Sequence, residues 1–196
     1  MCAASFAQAE TLKIVVFGDS LTAGFGLDRG QGFVPQLQAK LITEGYDVEL
    51  INAGVSGDTT SGGRSRLNWS VGPEADGVIL ELGANDMLRG LPVKSTRENL
   101  DAMVTGLKER KLPVLIAGML ASPNMGKEYG EEFNAIYPDL AEEHGTLFYP
   151  FFLKGVAGDG ALNQPDGMHP TQKGVAVIVE NIFPSVKELI EKATAR

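Results

Sequence analysis

The run LKIVVF, residues 12–17, holds one charge in six positions and shows no alternation of polar and apolar side chains. A strand with one wet face alternates, whereas a strand covered on both faces is apolar throughout, so this run fits the interior of a parallel sheet. The rest of the chain keeps to that constraint. FVPQLQAKLITEG (33–45) places apolar residues at helical spacing and stops at Gly45, and DVELINAG (47–54) reads as a second strand. TSGGRSRLNWSV (60–71) reads as a short helix weakened by glycine, and GVILELGAND (77–86) as a third strand with the loop that follows it. STRENLDAMVTGLKERK (95–111) is the clearest helix, opened by Ser95 or Thr96 as cap with Glu98 in its first turn. LPVLIAGM (112–119), GEEFNAIYPDLAEEHG (130–145) and TLFYPF (146–151) read as strand, helix and fifth strand. From Pro170 onward, TQKGVAVIVENIFPSVKELIEKA forms a last helix or helix pair, with Pro184 as a break or kink. The β-α order predicts an α/β fold of three layers, a five-stranded parallel sheet with helices on both faces.

At 196 residues the chain is long enough for one domain with its own core, expected over 11–196. Its net charge of −8, with no cluster of Lys or Arg, excludes a nucleic-acid partner from the expectation. No apolar run approaches the roughly 18 residues of a membrane span, so stable membrane insertion is not expected. Cys2 stands alone, which leaves no internal disulfide and no cysteine-based metal site. No His/Asp/Glu grouping has metal-ligand spacing either, so neither a metal nor another cofactor is predicted. Near the start, Ala7-Gln8-Ala9 fits the small-residue pattern of a secretory cleavage site. Residues 1–10 therefore read as the remnant of a signal peptide or a tail, and the protein as periplasmic or secreted.

In open parallel sheets functional groups gather at the carboxyl ends of strands. GDSLTAG, AGVSGDTT and GAND follow strands one to three, and NQPDGMHP precedes the last helix. His144 ends a helix, where an imidazole interacts favourably with the dipole. His169 is different: it lies three residues after Asp166 and is pinned by Pro170. That spacing lets a carboxylate bond Nδ1 while Nε2 stays free to act as general base, although a loop Asp capping the final helix would look the same. Ser20 becomes a competent nucleophile only beside such a base. Ser20 N–H, Gly57 N–H and the Asn85 amide are candidate donors to an oxyanion. Each has an ordinary alternative, since Gly57 could just turn the chain and Asn85 just cap its loop. Asp19 and Asp86 read as carboxylates that accept loop N–H bonds, with Asp58 and Asp159 as loop residues.

Taken together, FGDSLTAG (17–24), AGVSGDTT (53–60), LGANDML (82–88) and DGMHP (166–170) resemble the four blocks of the GDSL family of SGNH hydrolases, over about residues 11 to 190. The resemblance implies a flavodoxin-like SGNH-hydrolase architecture, with Ser20 as nucleophile, His169 as base and Asp166 as its orienting acid. It also implies an oxyanion hole of Ser20 N–H, Gly57 N–H and Asn85, and a mobile active-site region that Gly24, Gly26 and Gly30 would permit.

The block layout is similar to the bacterial branch of small periplasmic esterases with thioesterase, lysophospholipase and arylesterase activities. A small ester or thioester of short or medium acyl chain is the implied substrate. GMLASPNMGKEYG (118–130) and FFLKGVAGDGALNQ (151–164) could wall an acyl groove through Met119, Leu120, Pro123, Phe152 and Leu162, residues that would serve equally as core. The alternatives are a carbohydrate acetylesterase of the same family and a ligand-binding module without turnover.

Overall fold

The computed structural model describes residues 11–196, so the expectation for the Ala7-Gln8-Ala9 segment lies outside the described residues. Five strands, β1 (Leu12–Gly18), β2 (Val48–Gly54), β3 (Gly77–Glu81), β4 (Val114–Ala117) and β5 (Leu147–Tyr149), form one parallel sheet in the order β2-β1-β3-β4-β5. Helices α1 (Ser20–Ala23), α2 (Phe33–Thr43), α3 (Thr60–Ser70), α4 (Ala84–Leu88), α5 (Val93–Glu109), α6 (Lys127–His144) and α7 (Gln172–Thr194) connect and follow them.

Burial explains the pattern. Every residue of β3 and β4 is buried, and so are the last five of β1, because helices cover both faces of the middle of the sheet. The edge strand β2 buries Val48 and is otherwise exposed or half-buried. Helix α2 packs on α7, whereas α5 packs between α3 and α6, which gives the three layers. On α7 the buried set Val175, Ile178, Val179, Ile182, Val186 and Leu189 recurs at three- and four-residue steps. Each such side chain contributes about 1.5–3 kcal/mol relative to exposure. Among the described residues, no helix is long and apolar enough to cross a membrane.

Three local readings need correction. Helix α7 is continuous through Pro184, and no second helix forms. Pro184 and Glu180, whose carbonyl loses its amide partner, both face solvent, where water satisfies the freed group. Helix α5 begins at Val93 after Pro92, with no side-chain cap. Ser95 and Thr96 therefore lie inside its first turn, and Thr96 is buried. The segment after β3 is the short helix α4 and not an open loop.

The strand order sets the place of the site. From β1 the chain moves outward to β2, then returns to β3 on the other side of β1, so a crevice opens between the carboxyl ends of β1 and β3.

Candidate active site

Strand β1 ends at Gly18, where a Cβ would sit 2.1 Å from Thr22 Oγ1 and 2.6 Å from Glu81 Oε2, so only glycine fits. Asp19 then caps α1, accepting the Leu21 N–H at 3.0 Å, and the helix stops after one turn at Gly24 (φ 84°). This short turn presents Ser20 at the mouth of the crevice.

His169 arrives from the loop before α7. One oxygen of Asp166 accepts the backbone N–H groups of Met168 (2.9 Å) and His169 (3.0 Å), which folds the loop back on itself. Its other oxygen lies 2.6 Å from His169 Nδ1, and His169 Nε2 lies 2.9 Å from Ser20 Oγ. The Asp166 carboxyl is lowered to about 2, first by the His169 backbone N–H, then by that of Met168, then by the imidazole. An ionised carboxylate can only accept, so Nδ1 carries the ring proton and Nε2 is left to accept the serine hydroxyl. Gln164 braces the loop: its N–H donates to the His169 carbonyl (2.7 Å), and its amide donates to the carbonyls of Phe25 (2.8 Å) and Pro170 (2.9 Å). The Phe25 ring packs 4.6 Å from the imidazole.

On the β3 side, one N–H of the Asn85 amide donates to Asp19 Oδ2 at 3.0 Å, and the second has no partner among the described residues. Burial raises the Asp19 carboxyl to about 6, against the lowering effect of the Leu21 N–H and the Asn85 amide. Beside it, burial pushes Glu81 well above the usual carboxylate range, and the Asp19 charge adds to that push. Asp86 accepts the Thr60 N–H at 2.8 Å and the Thr60 hydroxyl at 2.6 Å, tying α4 to the start of α3. Gly57 takes up the left-handed region (φ 80°), and its carbonyl accepts from Arg89 at 2.8 Å.

A cavity of about 660 Å³ opens beside Ser20, His169 and Asn85. Met119, Leu120 and Pro123 line it, while Gly57 does not. Phe152 and Leu162 do not line it either, a correction of the groove expected from sequence. Phe152 is buried edge-on against Phe33 at 4.9 Å, and Leu162 is half-buried against the core, where its carbonyl accepts the Thr171 N–H. The flanking residues Phe151 and Leu153 face the cavity instead, together with Met87, Leu88 and Met168.

Two arginines missed by sequence reading hold the loops. Buried Arg66 donates to the carbonyls of Gly18 and Ala53 (2.8 Å each), pairs with Asp58 at 2.6 Å and stacks 3.9 Å over Phe17. Arg89 holds Gly57. No local pattern marks either, because their partners are up to 48 residues away. Packing of α5 on α6 also brings Asp101, Glu143 and His144 together, a grouping that sequence spacing did not show. Its members are already engaged: His144 pairs with Asp101 at 2.7 Å, and Glu143 pairs with Arg97.

The comparison with known families decides the lineage: residues 16–177 match the GDSL-like Lipase/Acylhydrolase family. The chain belongs to that family. It is an enzyme, an ester hydrolase. Over 184 residues it is 39% identical to Esterase TesA of Pseudomonas aeruginosa, covering 93% of this chain and 92% of the relative. It is 37% identical to an arylesterase of Vibrio mimicus over 91% of this chain and 90% of the relative. The crystal structure of the psychrotrophic esterase EstA from Pseudoalteromonas sp., inhibited by monoethylphosphonate, superposes with a TM-score of 0.86 at 34% identity, over 91% of this chain and 98% of that one. The five-stranded α/β fold is thus the fold of the family's solved members.

Proposed function

We propose that the chain hydrolyses small carboxylic esters, and thioesters of the same acyl groups, through an acyl-enzyme on Ser20. The observation that carries this reading is the continuous Ser20–His169–Asp166 relay opening onto an apolar cavity. Ser20 Oγ attacks the carbonyl carbon while its proton passes to His169 Nε2, and Asp166 stabilises the imidazolium that forms. Ser20 N–H and the free N–H of Asn85, both at the cavity, receive the oxyanion, and Gly57 N–H, outside the cavity lining, is the third donor that the family resemblance implies. Collapse of this intermediate breaks the bond to the leaving group, which takes the proton from His169. Water then attacks the acyl carbon, losing a proton to the same Nε2, and that proton passes to Ser20 Oγ as the acyl–Oγ bond breaks and the acid leaves. Met119, Leu120, Phe151, Leu153 and Met168 offer the acyl chain an apolar wall with no charge to desolvate, which supports short or medium chains.

The test is hydrolysis of p-nitrophenyl acetate, butyrate, octanoate and palmitate, with phosphonate labelling as a check on the nucleophile. Turnover should be highest on butyrate or octanoate, and the label should sit on Ser20. Turnover confined to acetate would favour the carbohydrate acetylesterase, and no turnover with no adduct would reject the hydrolytic site. Asn85→Ala should lower kcat roughly 100- to 1000-fold, the usual effect of losing one oxyanion donor. A loss under about tenfold would assign Asn85 to loop structure alone.

A further inference from the structure

Beneath the nucleophile turn lies a carboxyl that acyl transfer does not use. Glu81 ends β3 opposite Gly18 and is fully buried. Its Oε2 accepts the Thr22 hydroxyl at 2.9 Å and the Asp19 backbone N–H at 3.4 Å. Its Oε1 has no partner among the described residues. Asp19 is also fully buried, yet both its oxygens are served, Oδ1 by the Leu21 N–H and Oδ2 by the Asn85 amide. Among the described residues no Lys or Arg bonds either carboxyl. The Arg66 guanidinium reaches this turn but bonds the Gly18 carbonyl.

Two adjacent buried carboxyls without a cation do not both ionise. The donors decide which one keeps its charge: Asp19 has one on each oxygen, while Glu81 has an oxygen with none. We propose that Glu81 is a positioning residue that works as a neutral acid, propping the Asp19–Thr22 turn while Asp19 carries the one negative charge that orients Asn85. This rests on the assignment of Ser20 and Asn85 above. The surrounding groups favour the same division. Asp58, from the loop before α3, and His169 face Asp19, while Tyr137 of α6 faces Asp19, Glu81 and Asp86. Tyr137 is neutral, its phenol pushed up by burial, and Asp58 is paired with Arg66, so the Asp19 charge is the repulsion that a second charge at Glu81 would meet. Burial raises Glu81 well above its ordinary value, whereas Asp19, at about 6, is ionised at neutral pH.

A carboxyl raised in the folded state favours unfolding as pH climbs, because the unfolded glutamate ionises first. Glu81→Gln copies the neutral acid. Its Tm should match wild type below the roughly 4.3 of a free glutamate, and exceed it by a margin that grows as pH rises above that value. Its kcat should stay within about twofold of wild type, whereas Glu81→Ala, which removes the prop, should lose at least roughly tenfold in kcat with KM unchanged. A Glu81→Gln Tm that falls below wild type as pH rises would show a charged native Glu81 and overturn the proposal. So would a kcat loss in Glu81→Gln equal to that of Glu81→Ala. If Glu81→Ala does not fold, Glu81→Gln decides alone. If wild type forms no phosphonate adduct at Ser20, the hydrolytic assignment fails, and the Tm comparison still reports the charge of Glu81.

Discussion

Ser20→Ala should fold as wild type does and hydrolyse p-nitrophenyl butyrate at the background rate. The substitution keeps the first residue of α1 helical and removes one oxygen, whose hydrogen-bond partner is His169 Nε2. The Gly24 stop and the Asp19 cap do not involve the hydroxyl, so Tm should change by little more than a degree or two for a loss of ~0.5 kcal/mol. Activity is another matter, because no other group occupies the point from which a carbonyl is attacked. Loss of a nucleophilic serine in a triad lowers kcat by about 10⁶, with only oxyanion and binding effects remaining. Residual turnover above about one part in a thousand, with the labelled site moved elsewhere, would remove Ser20 from the mechanism.

His169→Ala should be nearly as damaging, and the double variant should be no worse than either single one. Residues that act as a unit do not add: once the base is gone the hydroxyl keeps its proton, and once the hydroxyl is gone the base has nothing to accept. The fold should tolerate the change, because Asp166 still accepts the backbone N–H of residues 168 and 169 and Gln164 still bonds the carbonyl at 169. Steady-state kinetics of the two single variants and the double variant settle the matter. Additive losses, in which the double variant falls by the product of the two single factors, would show that Ser20 and His169 contribute independently and that their 2.9 Å contact is not the working one.

The candidates for the proposed site were readable where their constraints are local, and the resemblance of four sequence blocks joined them. Asp166 and His169 are three residues apart, so the turn that joins their side chains is built by the same segment that carries them. Gly18 and Gly24 bracket Ser20 for reasons of sterics and of φ that act within a few residues. The apolar runs of β1, β3 and β4 announce burial on both faces, and the β-α alternation then leaves a parallel sheet as the architecture. What one segment needs from another was not readable. Ser20 and His169 are 149 residues apart, and only the order of the strands brings their loops to the same crevice.

The same distinction separates the misreadings. Phe152 and Phe151 are adjacent and chemically alike, but a change of side-chain direction between neighbours sends one to Phe33 and the other to the cavity. Pro184 sits inside a continuous α7 with Glu180 and Pro184 on the face turned to solvent, and which face that is depends on packing. Arg66, Arg89 and Glu81 take their meaning from partners on other strands and loops, at separations that no window along the chain contains. The sequence by itself determined the layers, which rest on burial pattern, and offered Ser20 and the Asp166–His169 turn as candidates through contacts within a turn, which the four-block resemblance joined into one proposed site. Tertiary structure alone decided the cavity wall, the bracing arginines and the buried carboxyl pair, because burial and charge at those positions come from neighbours that only folding supplies.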